Sequence, residues 1–153
     1  MDSNSTINEL LVNVFDNIMD HEERALITGE FKDISKNDMH IIDAIGNEES
    51  RSMSVLARKL RVTVGTLTIA FNSLVKKGYV ARIRSKEDKR VVLISLSEKG
   101  KRAYNKHKMF HEEMVKTITF GLDEAQTKDL IKMLVSIQHF VDRFEDTEIS
   151  QNR

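Results

Sequence analysis

Apolar residues recur three and four positions apart at Ile7, Leu10, Leu11, Val14, Phe15, Ile18 and Met19. That spacing is one stripe of an amphipathic helix, for which Gly29 is a plausible stop. Ser35 and Asp38 have the form of a capping pair, and Met39, Ile42 and Ile45 follow on a second helical face before Gly46. A short third helix reads from about Ser54, with Val55, Leu56 and Leu60 inward. Thr63 stands as the N-cap of a fourth, whose Leu67, Phe71, Leu74 and Val75 share one side as far as Gly78.

The period then changes. Residues 79–84 and 91–96 are rich in β-branched side chains and are joined by a charged hexapeptide, which predicts a two-stranded hairpin with a charged tip. Ser97 caps a long fifth helix reaching about Phe120, and a sixth begins after Gly121-Leu122-Asp123, with Leu130, Leu134, Ile137, Val141 and Phe144 at helical spacing. The polar tail beyond Asp146 is expected to fray.

A short helix, a tight turn, a second helix and a charged hairpin compose a winged helix-turn-helix. The expected fold is mostly α with a small β-wing, a six-helix subunit. Its parts are an N-terminal dimerisation helix (1–34), a DNA-binding lobe (35–97), C-terminal dimerisation helices (98–146) and a tail (147–153). The first and last helices carry more apolar stripe than so small a domain covers, so a symmetric homodimer built from both chain ends is expected. The alternative is that the two ends pack on each other within one chain.

Composition narrows the class. The 153 residues are 40% hydrophobic and 31% charged, the balance of a folded domain with one core. No apolar run approaches the ~18–20 residues of a membrane span, and the start lacks a signal-peptide pattern, so a cytoplasmic location is expected. The absence of cysteine removes disulfides, thiolate zinc sites and thiol nucleophiles, and the absence of proline permits long helices.

The net charge of zero conceals a strong segregation. Residues 1–50 hold 3 Lys/Arg against 12 Asp/Glu, residues 51–108 hold 16 against 3, and residues 109–153 hold 5 against 9. A basic middle between acidic flanks predicts an electropositive face for a polyanion.

Two motifs refine this. Leu56-Ala57, Leu60, Val62-Thr63 and Thr66-Leu67-Thr68, followed by Leu74, Lys76-Lys77-Gly78-Tyr79-Val80, resemble the helix-turn-helix of the MarR family of transcriptional regulators. Asp88, Arg90, Ile94, Leu96-Ser97 and Gly100 resemble that family's wing. The resemblance spans roughly residues 7–145. It implies a dimeric DNA-binding protein, usually a repressor, with an effector pocket between the dimerisation helices and the DNA lobes.

The residues allow a physical reading of such an interface. Val64, Gly65, Thr66, Thr68, Ile69 and Asn72 lie on the early, outward face of the fourth helix, where a recognition helix meets base edges. None is Arg, whereas Asn pairs bidentately with adenine and Thr, Val and Ile suit thymine methyls, so an A·T-rich palindrome is expected. Asn72 touching only phosphate is the alternative. Arg84, Lys86, Lys89 and Arg90 surround the wing, where guanidinium groups suit a narrow minor groove. Asp88 beside them would orient Arg90 or close the turn. Ser52, Ser54, Lys76 and Lys77 are further candidates for phosphate contacts.

A narrower resemblance, to the fatty-acid-synthesis repressors of that family, is carried by 31–35, the Met39-His40 and Ile42-Asp43 run, Val62-Thr63 with Gly65-Thr66, and His107-Lys108 with Phe110-His111. It implies long-chain acyl-acyl carrier protein as co-repressor. Gly65 within a recognition helix costs about 1 kcal/mol of propensity, which close approach of backbone to DNA would offset. Ile18, Met19, Phe31, Ile34, Met39, Ile42, Met109, Phe110 and Met114 are candidates to line an acyl tunnel, with His107 and His111 beside it; ordinary core packing is the competing explanation for each. Arg24, Lys32, Lys36, Arg51, Arg58 and Lys59 are candidates to dock an acidic carrier protein.

The rival effector is Zn²⁺. His107 and His111 share a helix face, His40 corresponds to a third ligand in zinc-sensing relatives, and Glu22 or Glu23 could complete the set. No phosphate loop, nucleotide fingerprint, nucleophile elbow or carboxylate dyad points to an enzyme. The basic region also lacks exposed aromatics for stacking RNA bases.

Overall fold

The computed structural model describes residues 2–47 and 50–151, with side chains to Phe144. The end of the expected tail, residues 152–153, lies outside the described residues. The chain divides into two compact units, Met1–His111 and Glu112–Arg153. No helix among the described residues is long and apolar enough to cross a membrane.

Capping sets the boundaries in the first unit. α1 (Ser3–Leu26) starts where the Asp2 carboxylate accepts from Asn4 N at 2.6 Å and Ser5 N at 3.2 Å. α2 (Lys36–Ile45) begins in a full capping box between Ser35 and Asp38, and Gly46 ends it at φ 69°. Ser52 caps α3 (Met53–Lys59) and Thr63 caps α4 (Val64–Lys76). The turn between them passes through Arg61 at φ 55° and closes with Val62 N donating to Ala57 O at 3.0 Å.

β2 (Val80–Arg84) and β3 (Val92–Leu96) form the wing hairpin, with Val80 opposite Leu96 and Arg84 opposite Val92. The sheet has three strands rather than the expected two. β1 (Arg51–Ser52) joins the other edge of β3, pairing Arg51 with Ile94. A two-residue strand has no alternation to reveal it, and its second residue doubles as the α3 cap.

Ile42 and Leu56 meet Phe71, Leu74, Tyr79 and Ile94 in the core, all fully buried. Burying side chains of this kind contributes about 1.5–3 kcal/mol each. α5 (Glu98–Thr119) enters against this core at Gly100, where a Cβ would lie 2.0 Å from the Tyr79 carbonyl oxygen. Ser97 fixes that approach: its N–H donates to Tyr79 O at 2.9 Å, and its hydroxyl donates to Gly78 O and accepts from Gly100 N at 3.1 Å.

In the second unit, Asp123 and Gln126 cap α6 (Glu124–Gln151) reciprocally, at 2.8 and 2.9 Å. The helix continues past Asp146 through residues expected to fray. Among its described side chains Ile131, Leu134, Phe140, Val141 and Phe144 are exposed, as are Ile7, Leu10, Val14 and Phe15 of α1.

Candidate nucleic-acid interface and histidine cluster

α4 turns Leu67, Phe71 and Leu74 into the core, and this orientation leaves Val64, Gly65, Thr66, Ile69 and Asn72 exposed, Ile69 at 75%. Thr68 is half-buried, and its hydroxyl donates to Val64 O at 2.7 Å, so its hydrogen is engaged within the helix. Thr66 accepts from the Thr63 hydroxyl at 2.9 Å. A Cβ on Gly65 would meet nothing closer than Thr63 Oγ1 at 3.9 Å. No internal packing therefore requires glycine there.

The wing lies beside this helix. Arg84, Lys86, Lys89 and Arg90 are all exposed. Asp88 closes the turn by accepting from Arg90 N at 2.9 Å, while Ser85 Oγ accepts from Glu87 N and Asp88 N. Ser54 is exposed with its hydroxyl 3.2 Å from that of Ser52, and Lys76 is exposed. Lys77, a candidate phosphate contact, is half-buried and its ammonium pairs with the buried Asp38 carboxylate at 2.8 Å. Residues 51–86 contain no Asp or Glu, so the field over the recognition helix is undiluted by acids from that stretch, and Glu87 and Asp88 are the acids of the wing itself.

Arg82 was not singled out by the sequence. Its guanidinium donates to Asn72 Oδ1 and lies 5.1 Å from the centroid of the Phe71 ring. Strand alternation, which puts Arg82 on the same face as Arg84, was the available signal.

A second constellation ties α1, α2 and α5 together. His107 Nε2 contacts Glu22 Oε1, His107 Nδ1 lies 2.8 Å from Asp43 Oδ2, and His111 Nε2 is 3.1 Å from the same Glu22 oxygen and 2.9 Å from His107 Nε2. Burial pulls the His107 pKa down, but the hydrogen bonds and charges of Asp43 and Glu22 outweigh it and hold the group above its ordinary value. Burial alone would raise the Glu22 carboxyl, yet the two histidines carry it below the ordinary range. Glu22, His107 and His111 are the described residues whose ligand atoms converge, within 4.8 Å. His40 is not in that group. It is exposed and lines both a groove of about 600 Å³ between α2, α3 and α4 and the small cavity that Glu22 and His107 also line, while Asp43, one turn on, makes the α2 contact to His107.

Met19, Glu22, Ile34, Lys36, Met39, His40 and His107 are among the residues lining a cavity of about 20 Å³. That is space for about one water, against the ~300–1,000 Å³ of ligand pockets. Of the other tunnel candidates, Phe31 and Ile42 are packed in the core, Ile18 and Phe110 are half-buried, and Met109 is exposed. Met114 belongs to the second unit and is half-buried.

Comparison with known proteins places this geometry in context. Residues 27–107 match the family described as transcriptional regulator SarA/Rot. The HTH-type transcriptional regulator SarZ of Staphylococcus haemolyticus is 43% identical over 68 residues, 44% of this chain and 46% of that protein, so the match spans about half the relative's length. SarZ of Staphylococcus saprophyticus is 31% identical over 103 residues, 67% of each protein. A crystal structure of Streptococcus pneumoniae FabT in complex with DNA superposes with a TM-score of 0.78 at 38% identity, covering 93% of this chain and 99% of that one.

Proposed function

The chain belongs to the SarA/Rot family of transcriptional regulators, MarR-like winged-helix proteins rather than enzymes, and we propose that it acts as a homodimeric, DNA-binding repressor of fatty-acid synthesis genes. The observation that carries the DNA reading is the exposed early face of α4, uncharged and carrying Val64, Thr66, Ile69 and Asn72, beside a cationic wing. Helix residues of that character read A·T-rich base edges, and the wing cations anchor phosphates or the minor groove. A second copy of the chain covers the exposed apolar residues of α1 and α6 and sets two recognition helices about one DNA turn apart.

Long-chain acyl-acyl carrier protein is the co-repressor in this reading. Support comes from the resemblance to fatty-acid-synthesis repressors and from the 38% identity to FabT. The methionine-lined cavity at Met19 and Met39 is the place where an acyl chain would enter, and it must widen to accept one. Lys36, which lines the cavity, is exposed, as is Lys32 on the same segment, and both suit an acidic carrier. The co-repressor acts by favouring the dimer shape whose helix spacing fits the duplex.

A second reading, a Zn²⁺-responsive regulator, is favoured by one feature. The three ligand atoms converge within 4.8 Å; tetrahedral zinc ligands sit roughly 3.3 Å apart, so the His111 Nε2 contacts of 2.9 and 3.1 Å come close, while His107 and Glu22, in direct hydrogen-bond contact, would have to separate. Asp43 on His107 Nδ1 is the outer carboxylate that orients a metal-bound imidazole. Glu22, His107 and His111 would hold the ion, which would clamp α1 to α5.

A mobility-shift titration on an A·T-rich palindrome separates these readings. Enhancement by acylated but not unacylated carrier protein supports the lipid reading. A response to Zn²⁺ alone, lost in His107→Ala, transfers the effector to metal.

A further inference from the structure

We propose that Arg82 is a specificity-determining residue that positions the Asn72 side chain for base reading, a role that rests on the DNA-binding function above. Arg82 projects from β2, opposite Ile94, and reaches α4 at two consecutive residues. Its guanidinium lies over the buried Phe71 ring at 5.1 Å and donates to the Asn72 carbonyl. The ring face fixes where the cation sits, because an aromatic quadrupole attracts it there.

The chemistry then assigns the amide's orientation. A guanidinium only donates, so the Asn72 atom it holds must be the carbonyl oxygen, never the NH₂. A free asparagine can rotate its amide and offer either end to a base. Held by Arg82, Asn72 keeps one end toward the wing root and has its NH₂ without another partner among the described residues. An NH₂ so presented matches acceptors in the major groove, namely N7 of a purine, O6 of guanine or O4 of thymine. It is repelled by the N4 amino group of cytosine. One lone pair of the carbonyl stays open, so adenine can still be bound at both its N7 and N6.

Arg82 carries no ion pair among the described residues, and it is exposed. The competing role is therefore that of a plain cation on phosphate. The two roles diverge under Arg82→Lys, which keeps the charge and loses the planar fork. Wild-type, R82K, N72A and R82K/N72A proteins are each carried through selection of a randomised duplex pool and sequencing of the bound fraction. Affinity for unselected duplex is measured in parallel.

The expected result is loss in both single variants of the same base preference in each half-site, roughly 5- to 150-fold. Other positions stay unchanged, the double variant matches the singles, and affinity for unselected duplex is kept in R82K. The side-chain NH₂ resonances of Asn72, assigned by their absence in N72A, change from rigid in wild type to mobile in R82K. The proposal is overturned if R82K retains the preference that N72A removes, if N72A removes none, or if Asn72 is equally rigid in R82K. A wild-type protein that enriches no sequence and binds no duplex instead removes the DNA reading itself.

Discussion

Replacing Gly65 by alanine separates what the recognition helix needs for folding from what it needs for contact. Gly65 is the second residue of α4, behind the Thr63 cap, and the nearest atom to an added Cβ is Thr63 Oγ1 at 3.9 Å. Nothing in the fold opposes the methyl, and its φ is not in the left-handed region. Alanine is better than glycine within a helix by up to about 0.5–1 kcal/mol, so the variant gains stability. For a chain of this length that corresponds to a rise in Tm of roughly 1–4 °C. On the duplex the effect reverses. If backbone approaches DNA at this surface, as the proposed function requires, the methyl overpacks the contact at about 1–3 kcal/mol, a 5- to 150-fold loss of affinity. Thermal denaturation at fixed protein concentration and fluorescence anisotropy on a palindromic duplex read the two halves independently. A variant that melts higher and binds as tightly as wild type refutes the close-approach argument. One that melts lower refutes the account of the helix start.

Gly100 is the opposite case. With a Cβ 2.0 Å from the Tyr79 carbonyl oxygen, Gly100→Ala must push α5 off the core, and the overpacking cost of about 1–3 kcal/mol exceeds the helix gain; an unchanged or higher Tm would show that this contact is loose. His107 binds its proton more tightly when folded than at its ordinary 6.5. Its contribution to stability is therefore full below that pH and is lost as pH rises through the raised value. The gap in Tm between wild type and His107→Gln should shrink as pH rises, and a gap that is constant with pH contradicts the assigned charge. Glu22, lowered from 4.5, adds stability above that pH and loses it as pH falls through its own lowered value. If the dimer covers some 6–10 phosphates, duplex affinity falls about 10³–10⁵-fold between 50 and 200 mM salt; an affinity that ignores salt would remove the role assigned to the wing cations.

Helix starts were legible because a cap is a local pattern. Ser35 with Asp38, Thr63, Ser97 and Asp123 each bond within a few residues of themselves, so spacing alone finds them. β1 was invisible because its pairing with β3 crosses the whole helix-turn-helix. The outward face of α4 could be read because periodicity determines which side is buried. Its clasp by Arg82 could not, since the contact forms only once the wing folds back onto the helix. Lys77 looked like a surface cation until α2 brought Asp38 to it. The histidine pair followed from its four-residue spacing, whereas the choice of Asp43 over His40 depends on how α2 rotates against α5. Apolar periodicity marks Phe31, Met39 and Ile42 as inward but does not distinguish core from tunnel; all three are buried, and Met39 also lines the small cavity.

The proposed function requires two copies of this chain to present paired cationic lobes to adjacent turns of one duplex. Sedimentation of the protein, alone and with an A·T-rich palindrome at low salt, tests it most directly. A dimer is expected before DNA is added and a complex of one dimer per duplex afterwards, with a half-palindrome bound far more weakly. A chain that sediments as a monomer, or sediments apart from the duplex even at low ionic strength, contradicts it.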